Sequence, residues 1–134
     1  STSVRNTLGA LLRDANYRVT TARDGLEAMR ILTEQSFSLV LTDLEMPQLN
    51  GLELTEFIRG RSLRRNVPVV MLTSRGQDKH RSRAREAGVD AFLVKPYADQ
   101  DLLDQIHQLL QIDRAVADPV PSPAFFPEEA EASP

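Results

Sequence analysis

Helical and strand-like hydrophobic periods alternate along this chain. Val4, Leu8, Leu11 and Leu12 fall at i, i+4, i+7 and i+8, one stripe at a period of 3.6 residues, which predicts a helix over 1–15. Ser1, Thr2 and Ser3 are candidate N-caps. Tyr17-Arg18-Val19-Thr20-Thr21-Ala22 alternates and is β-branched, which predicts a short strand. Asp24-Gly25-Leu26-Glu27 places a capping acid three residues before a glutamate, a capping-box pattern with Asp in the usual Ser or Thr place. The helix it opens runs to about Glu34 with Ala28, Ile31 and Leu32 inward. Leu39-Val40-Leu41-Thr42-Asp43 is then a near-continuous apolar run ending in an acid, the pattern of a strand buried on both faces.

A third helix is expected after Gly51, with Leu54, Phe57 and Ile58 on its apolar face and Gly60 near its end. Val67 to Thr73 reads as a second buried strand, and Ala91-Phe92-Leu93-Val94-Lys95 as a third, stopped by Pro96. Between them, residues 75–87 favour a helix but offer only Ala84 and Ala87 for burial among Arg75, Lys79, His80, Arg81, Arg83 and Arg85, so this is the expected least firmly held element. Leu102, Leu103, Ile106, Leu109 and Leu110 mark a last helix over about 99–111. Strict alternation of helix and strand implies an α/β fold, a doubly wound parallel sheet covered on both faces, with right-handed crossovers. The expected division is one domain over 1–112 and, over 113–134, a disordered tail or linker rich in Pro, Ala and Glu.

Composition narrows the function. The 134 residues carry a formal charge of −3, which favours neither nucleic acid nor an anionic membrane. With no cysteine, thiolate metal sites, disulfides and thiol catalysis are excluded. No apolar run is long enough for a membrane span and the N-terminus is not signal-like, so a cytoplasmic setting is expected. His80 and His107 have no partner acid in the pattern and read as solvated. Arg59, Arg61, Arg64 and Arg65 read as a solvated helix end. No strand-to-helix turn has a Gly-rich phosphate loop, which argues against a nucleotide-binding enzyme.

The candidate chemistry lies at the strand ends. In a parallel sheet the carboxyl ends share one edge, where ligands gather, so Asp43, Thr73 and Lys95 should converge. Singly, each has an ordinary reading as a turn former, a strand end or a solvated lysine. Together they suit phosphoryl acceptance: a carboxylate nucleophile, an ammonium to neutralise transferred oxygens, and a hydroxyl to bond one of them.

The stretch 39–51, the strand end Met71-Leu72-Thr73-Ser74 and Val94-Lys95-Pro96 resemble the receiver domain of bacterial two-component response regulators. That resemblance implies a flavodoxin-like sheet of order 2-1-3-4-5, Asp43 as phosphoacceptor, Thr73 as switch hydroxyl, Lys95 as phosphate-pairing lysine, Phe92 as switch aromatic, and a cis peptide before Pro96. Glu45, Ser74, Arg75 and Pro96 would flank the site, with surface ion pairing or tuning of water access both open for Glu45 and Arg75. Thr73-Ser74-Arg75, Lys79-His80-Arg81 and Lys95-Pro96-Tyr97 look most like receivers fused to chemotaxis-type hybrid histidine kinases. The implied role is a phosphoryl-accepting signalling domain rather than a stand-alone enzyme. Its partner would be a histidine kinase or a histidine phosphotransfer domain, with no nucleic acid bound by the domain itself. The alternative is a non-phosphorylated pseudo-receiver acting as an interaction module.

Receivers open with a strand ending in an acidic pair, and this chain starts at Ser1-Thr2-Ser3-Val4, after the expected place of both. Two expectations follow. Mg²⁺, with Asp43 and the Glu45 backbone carbonyl as its available ligands, should bind weakly or not at all. The central place in the sheet should be empty and its neighbours exposed as open edges, the tail being a poor substitute because its prolines cannot donate to a ladder.

Overall fold

The computed structural model describes residues 2–46, 48–60, 66–114 and 124–127. Helices and strands alternate throughout: α1 (Thr2–Asp14), β1 (Val19–Ala22), α2 (Gly25–Glu34), β2 (Leu39–Asp43), α3 (Gly51–Arg59), β3 (Val69–Thr73), α4 (Asp78–Ala87), β4 (Ala91–Val94), α5 (Asp99–Arg114) and β5 (Ala124–Pro127). All strands are parallel, in the order β1-β5-β2-β3-β4.

The period of two along a strand divides the core. Leu39 and Leu41 of β2 and Val70 and Leu72 of β3 face Leu8 and Leu12 of α1 and Leu102 and Ile106 of α5. The intervening Val40 and Val69 face Ala28, Ile31 and Leu32 of α2 and Leu54 and Ile58 of α3. Both β2 and β3 are buried along their whole length, as their unbroken apolar runs predict. On α4, Ala84 alone is buried, in a small third cluster with Leu44 and Met71. This helix therefore has little hydrophobic anchorage, in keeping with its sequence.

The sheet departs from expectation at its centre. Residues 124–127 pair with β1 in the register Val19↔Ala124 to Ala22↔Pro127 and with β2 at Leu39↔Ala124 and Val40↔Phe125. The tail thus supplies the central strand that was expected to be missing, and its exclusion from that place is corrected. The prolines do not prevent it. Pro123 precedes the strand and Pro127 is its final residue, so Ala124-Phe125-Phe126 keep every backbone donor. The result is the 2-1-3-4-5 order in circularly permuted form, with the second place, between β1 and β2, filled by β5. The last helix also runs past the expected boundary at 112, continuing to Arg114.

One arrangement at the amino ends of the strands has no counterpart in the hydrophobic pattern. Arg59, expected as solvated, is only 23% exposed and ties three segments together. Its Nε and Nη2 donate to the Gly88 carbonyl at 3.1 and 2.7 Å, and Nη1 donates to that of Val67 at 2.6 Å. Nη2 also pairs with Asp90 at 2.8 Å. Gly88 closes α4 at φ 105, a left-handed conformation that favours glycine. Arg61, Arg64 and Arg65 lie outside the described residues.

Candidate functional site

The carboxyl ends of β2, β3 and β4 meet at one edge, as a parallel sheet requires. Asp43 ends β2 and is 5% exposed. The turn that follows is held by the Gly51 amide donating to the Leu44 carbonyl at 3.0 Å. Gly51 is needed for this close approach, because a Cβ there would collide with the Asp43 carbonyl oxygen. Asn50 then caps α3 through a complete capping box: the Glu53 amide donates to Asn50 Oδ1 and the Asn50 amide to Glu53 Oε1, each at 2.9 Å. The Asn50-Gly51-Leu52-Glu53 spacing would have revealed this box in the sequence. The Asp24 cap of α2 forms as expected, although Glu27 reaches back to the amide of Arg23 rather than that of Asp24.

Lys95 follows β4, where a cis peptide joins it to Pro96 as the resemblance implied. Its Nζ lies 2.6 Å from Asp43 Oδ1. That oxygen is buried, and among the described residues no donor other than Lys95 reaches it. Burial raises the pKa of the Asp43 carboxyl. The Lys95 ammonium opposes this through its hydrogen bond and its charge, while the charge of Glu45 adds to the rise. A half-exposed cation beside a buried, under-satisfied carboxylate is an arrangement prepared for additional ligands.

Thr73 ends β3, fully buried. Its Oγ1 donates to Glu45 Oε2 and accepts from the Arg75 amide at 2.9 Å. The hydroxyl therefore stands in the predicted place but is committed to Glu45, an interaction that side-chain spacing could not disclose. Ser74, Arg75 and Pro96 are exposed around the rim. Phe92 is half-buried, with the Arg81 guanidinium 5.0 Å from its ring centroid, a cation–π geometry. Beside Glu45 opens a cleft of about 460 Å³, lined by Asn50, Arg75, His80 and Arg83 along with Leu44, Met46 and Leu52. His107 stands apart on α5, within 2.9 Å of Gln111.

As a cation site the described residues are incomplete. No three acids or histidines come together to hold a metal among them. Asp43 contributes one carboxylate and the side chain of Glu45 is engaged by Thr73, short of the octahedral oxygen set that Mg²⁺ requires.

The whole of this edge lies within a match to the response regulator receiver domain, which covers residues 1–107. The chain belongs to that family and is a receiver domain of two-component signalling. It is similar, at 45% identity over 104 residues, to the transcriptional regulatory protein CpxR homolog of Haemophilus influenzae, covering 78% of this chain and 44% of the relative. The chain thus spans less than half the length of that protein. Its fold is also that of the receiver domain of a signal transduction histidine kinase from Syntrophus aciditrophicus, with TM-score 0.80, 28% identity and 90% of both chains covered. The receiver of a sensor histidine kinase from Pseudomonas aeruginosa superposes with TM-score 0.76 and 29% identity, covering 83% of this chain and 91% of that one, and it carries a magnesium ion in its active-site cleft. Among the described residues no helix is long and apolar enough to cross a membrane.

Proposed function

We propose that Asp43 is the phosphoryl acceptor of this receiver, taking its phosphoryl group from a phosphohistidine on a kinase or phosphotransfer domain. The observation that carries this reading is the buried Asp43 Oδ1 held 2.6 Å from Lys95 Nζ, with no other hydrogen-bond partner among the described residues. In the transfer, an Asp43 oxygen forms a bond to phosphorus, the phosphorus–nitrogen bond breaks, and the imidazole leaves with the electron pair. Lys95 balances the charge on the transferred oxygens, and Thr73 supplies a hydroxyl proton to one of them. Burial excludes water and strengthens both interactions. Phe92, half-buried on β4, is the aromatic that responds when Thr73 moves, and α4, with only Ala84 buried, is the element free to redistribute.

Mg²⁺ would supply further charge neutralisation. Among the described residues, Asp43 and the Glu45 carbonyl are the ligands available to it, a set that by itself would bind it weakly. We place the receiver unit over 1–112 with β5 completing its sheet, acting in the cytoplasm without contacting nucleic acid itself. For the parent protein, the structural likeness to histidine-kinase receivers supports a hybrid kinase. The higher identity to a transcriptional regulator favours a second setting, a response regulator with an output domain.

The test is incubation with a radiolabelled acyl phosphate in Mg²⁺, comparing this chain with Asp43→Asn, Lys95→Ala and Thr73→Ala. Label on the parent, none on Asp43→Asn and reduced label on the other two is the expected result. Label on Asp43→Asn equal to the parent refutes the assignment.

A further inference from the structure

The hydroxyl of Thr73 has one proton to give, and it gives it to Glu45 Oε2. We infer that Glu45 is a latch on Thr73: its carboxylate holds the switch hydroxyl in the resting state and must release it before Thr73 can reach a phosphoryl group on Asp43. This rests on Asp43 being the acceptor and adds a positioning residue to that site.

Three features support the latch. First, the two uses of the proton are mutually exclusive, so every resting hydrogen bond to Glu45 subtracts from the population ready to stabilise phosphorylation. Secondly, the bond is to a carboxylate and is partly shielded from water, both of which strengthen it. The other side of Thr73 Oγ1 is fixed by the Arg75 amide at 2.9 Å, which orients the proton towards Glu45. Thirdly, the freed carboxylate has somewhere to go. Among the described residues Glu45 is the only acid lining the 460 Å³ cleft, which also presents Arg75, Arg83 and His80. Turning from Thr73 to the guanidinium of Arg75 or Arg83 exchanges a hydrogen bond for an ion pair, which gives Glu45 two discrete positions rather than a continuum.

A carboxylate next to the acceptor would also slow phosphorylation simply by repelling an incoming anion, and the test must separate the two effects. The parent, Glu45→Gln and Glu45→Ala are each prepared with Thr73 and with Thr73→Ala, and initial rates of phosphorylation by an acyl phosphate in Mg²⁺ are compared. If Glu45 acts through Thr73, Glu45→Ala accelerates the reaction about tenfold with Thr73 present, the scale of a hydrogen bond to a charged group. Glu45→Gln, which keeps an acceptor oxygen, falls between. With Thr73→Ala the acceleration is lost. Equal acceleration in both backgrounds assigns the effect to charge and overturns the latch, as does equal acceleration by Gln and Ala.

A second readout does not depend on phosphorylation. The Thr73 hydroxyl proton, followed by NMR, should be protected from solvent exchange in the parent and Asp43→Asn and unprotected in Glu45→Ala. Rapid exchange in the parent overturns the latch. Failure of the parent to be labelled, with that proton protected, would instead refute the acceptor reading and leave the resting contact standing.

Discussion

Replacing Arg59 by alanine should destabilise the domain without disturbing its chemistry. The guanidinium makes three hydrogen bonds to the Gly88 and Val67 carbonyls and an ion pair to Asp90. Charged hydrogen bonds contribute about 1.5–3 kcal/mol each when fully buried. Here Asp90 is 40% exposed, and water can replace part of every contact, so the Asp90 pair adds at most about 1 kcal/mol. A net loss of about 2–3 kcal/mol follows for the whole clamp, or about 10 °C in melting temperature for a domain of this size. Arg59→Lys, which can satisfy one carbonyl at most, should recover about a third of that loss. Arg59→Met, which keeps the apolar stem, should resemble alanine if hydrogen bonding dominates. The assay is urea denaturation of the variants, with acyl-phosphate labelling on the folded proteins at low temperature. All the clamp's partners precede β3 or β4, at the opposite edge of the sheet from Asp43, Thr73 and Lys95. Labelling rates should therefore match the parent. A loss below about 0.5 kcal/mol, the scatter of ordinary surface substitutions, would refute the reasoning, and so would a selective loss of labelling.

Three further outcomes are expected. Asp43→Asn should stabilise the fold by about 1 kcal/mol at neutral pH, as commonly happens when a functional group is removed from a costly environment. Because burial raises the Asp43 pKa, the folded chain holds that proton more tightly than the unfolded one. The associated stability is complete below the unfolded carboxylate range and is lost as pH rises through the raised folded value, so denaturation curves of the parent and of Asp43→Asn should be close in acid and diverge towards neutrality; a constant offset across that range would contradict this. Gly51→Ala should cost at least about 2 kcal/mol and impair labelling, since the clash falls on the Asp43 carbonyl itself; near-normal melting would contradict the close approach. Deleting residues 115–134 should open the facing edges of β1 and β2 and promote association, visible by size-exclusion chromatography; a monomer as stable as the parent would mean that β5 contributes nothing.

Much of the architecture was legible because two strands are apolar from end to end. The bounds of β2 follow directly from its five residues, and those of β3 differ only because Val67 and Pro68 lead into it. The α4 helix starts later than its composition suggests: Gln77 is extended at φ −66, ψ 152, so the helix opens at Asp78 rather than near Arg75. The converging trio was legible because parallel topology brings strand ends together whatever the loops do. Arg59 was not, since its partners are up to 31 positions away and an arginine near a helix end looks solvated. The hold of Glu45 on Thr73 depends on rotamers across 28 positions. For β5, a four-residue strand bounded by prolines has too little pattern to stand out; its place is set by the gap between β1 and β2.

The central claim is that Asp43 becomes an acyl phosphate. Its most direct measurement is reduction of the phosphorylated chain with borohydride, which converts an aspartyl phosphate to homoserine, followed by peptide sequencing by mass spectrometry. Homoserine at position 43 and nowhere else is the predicted result; homoserine at another acid, with Asp43 unchanged in a labelled chain, would contradict it.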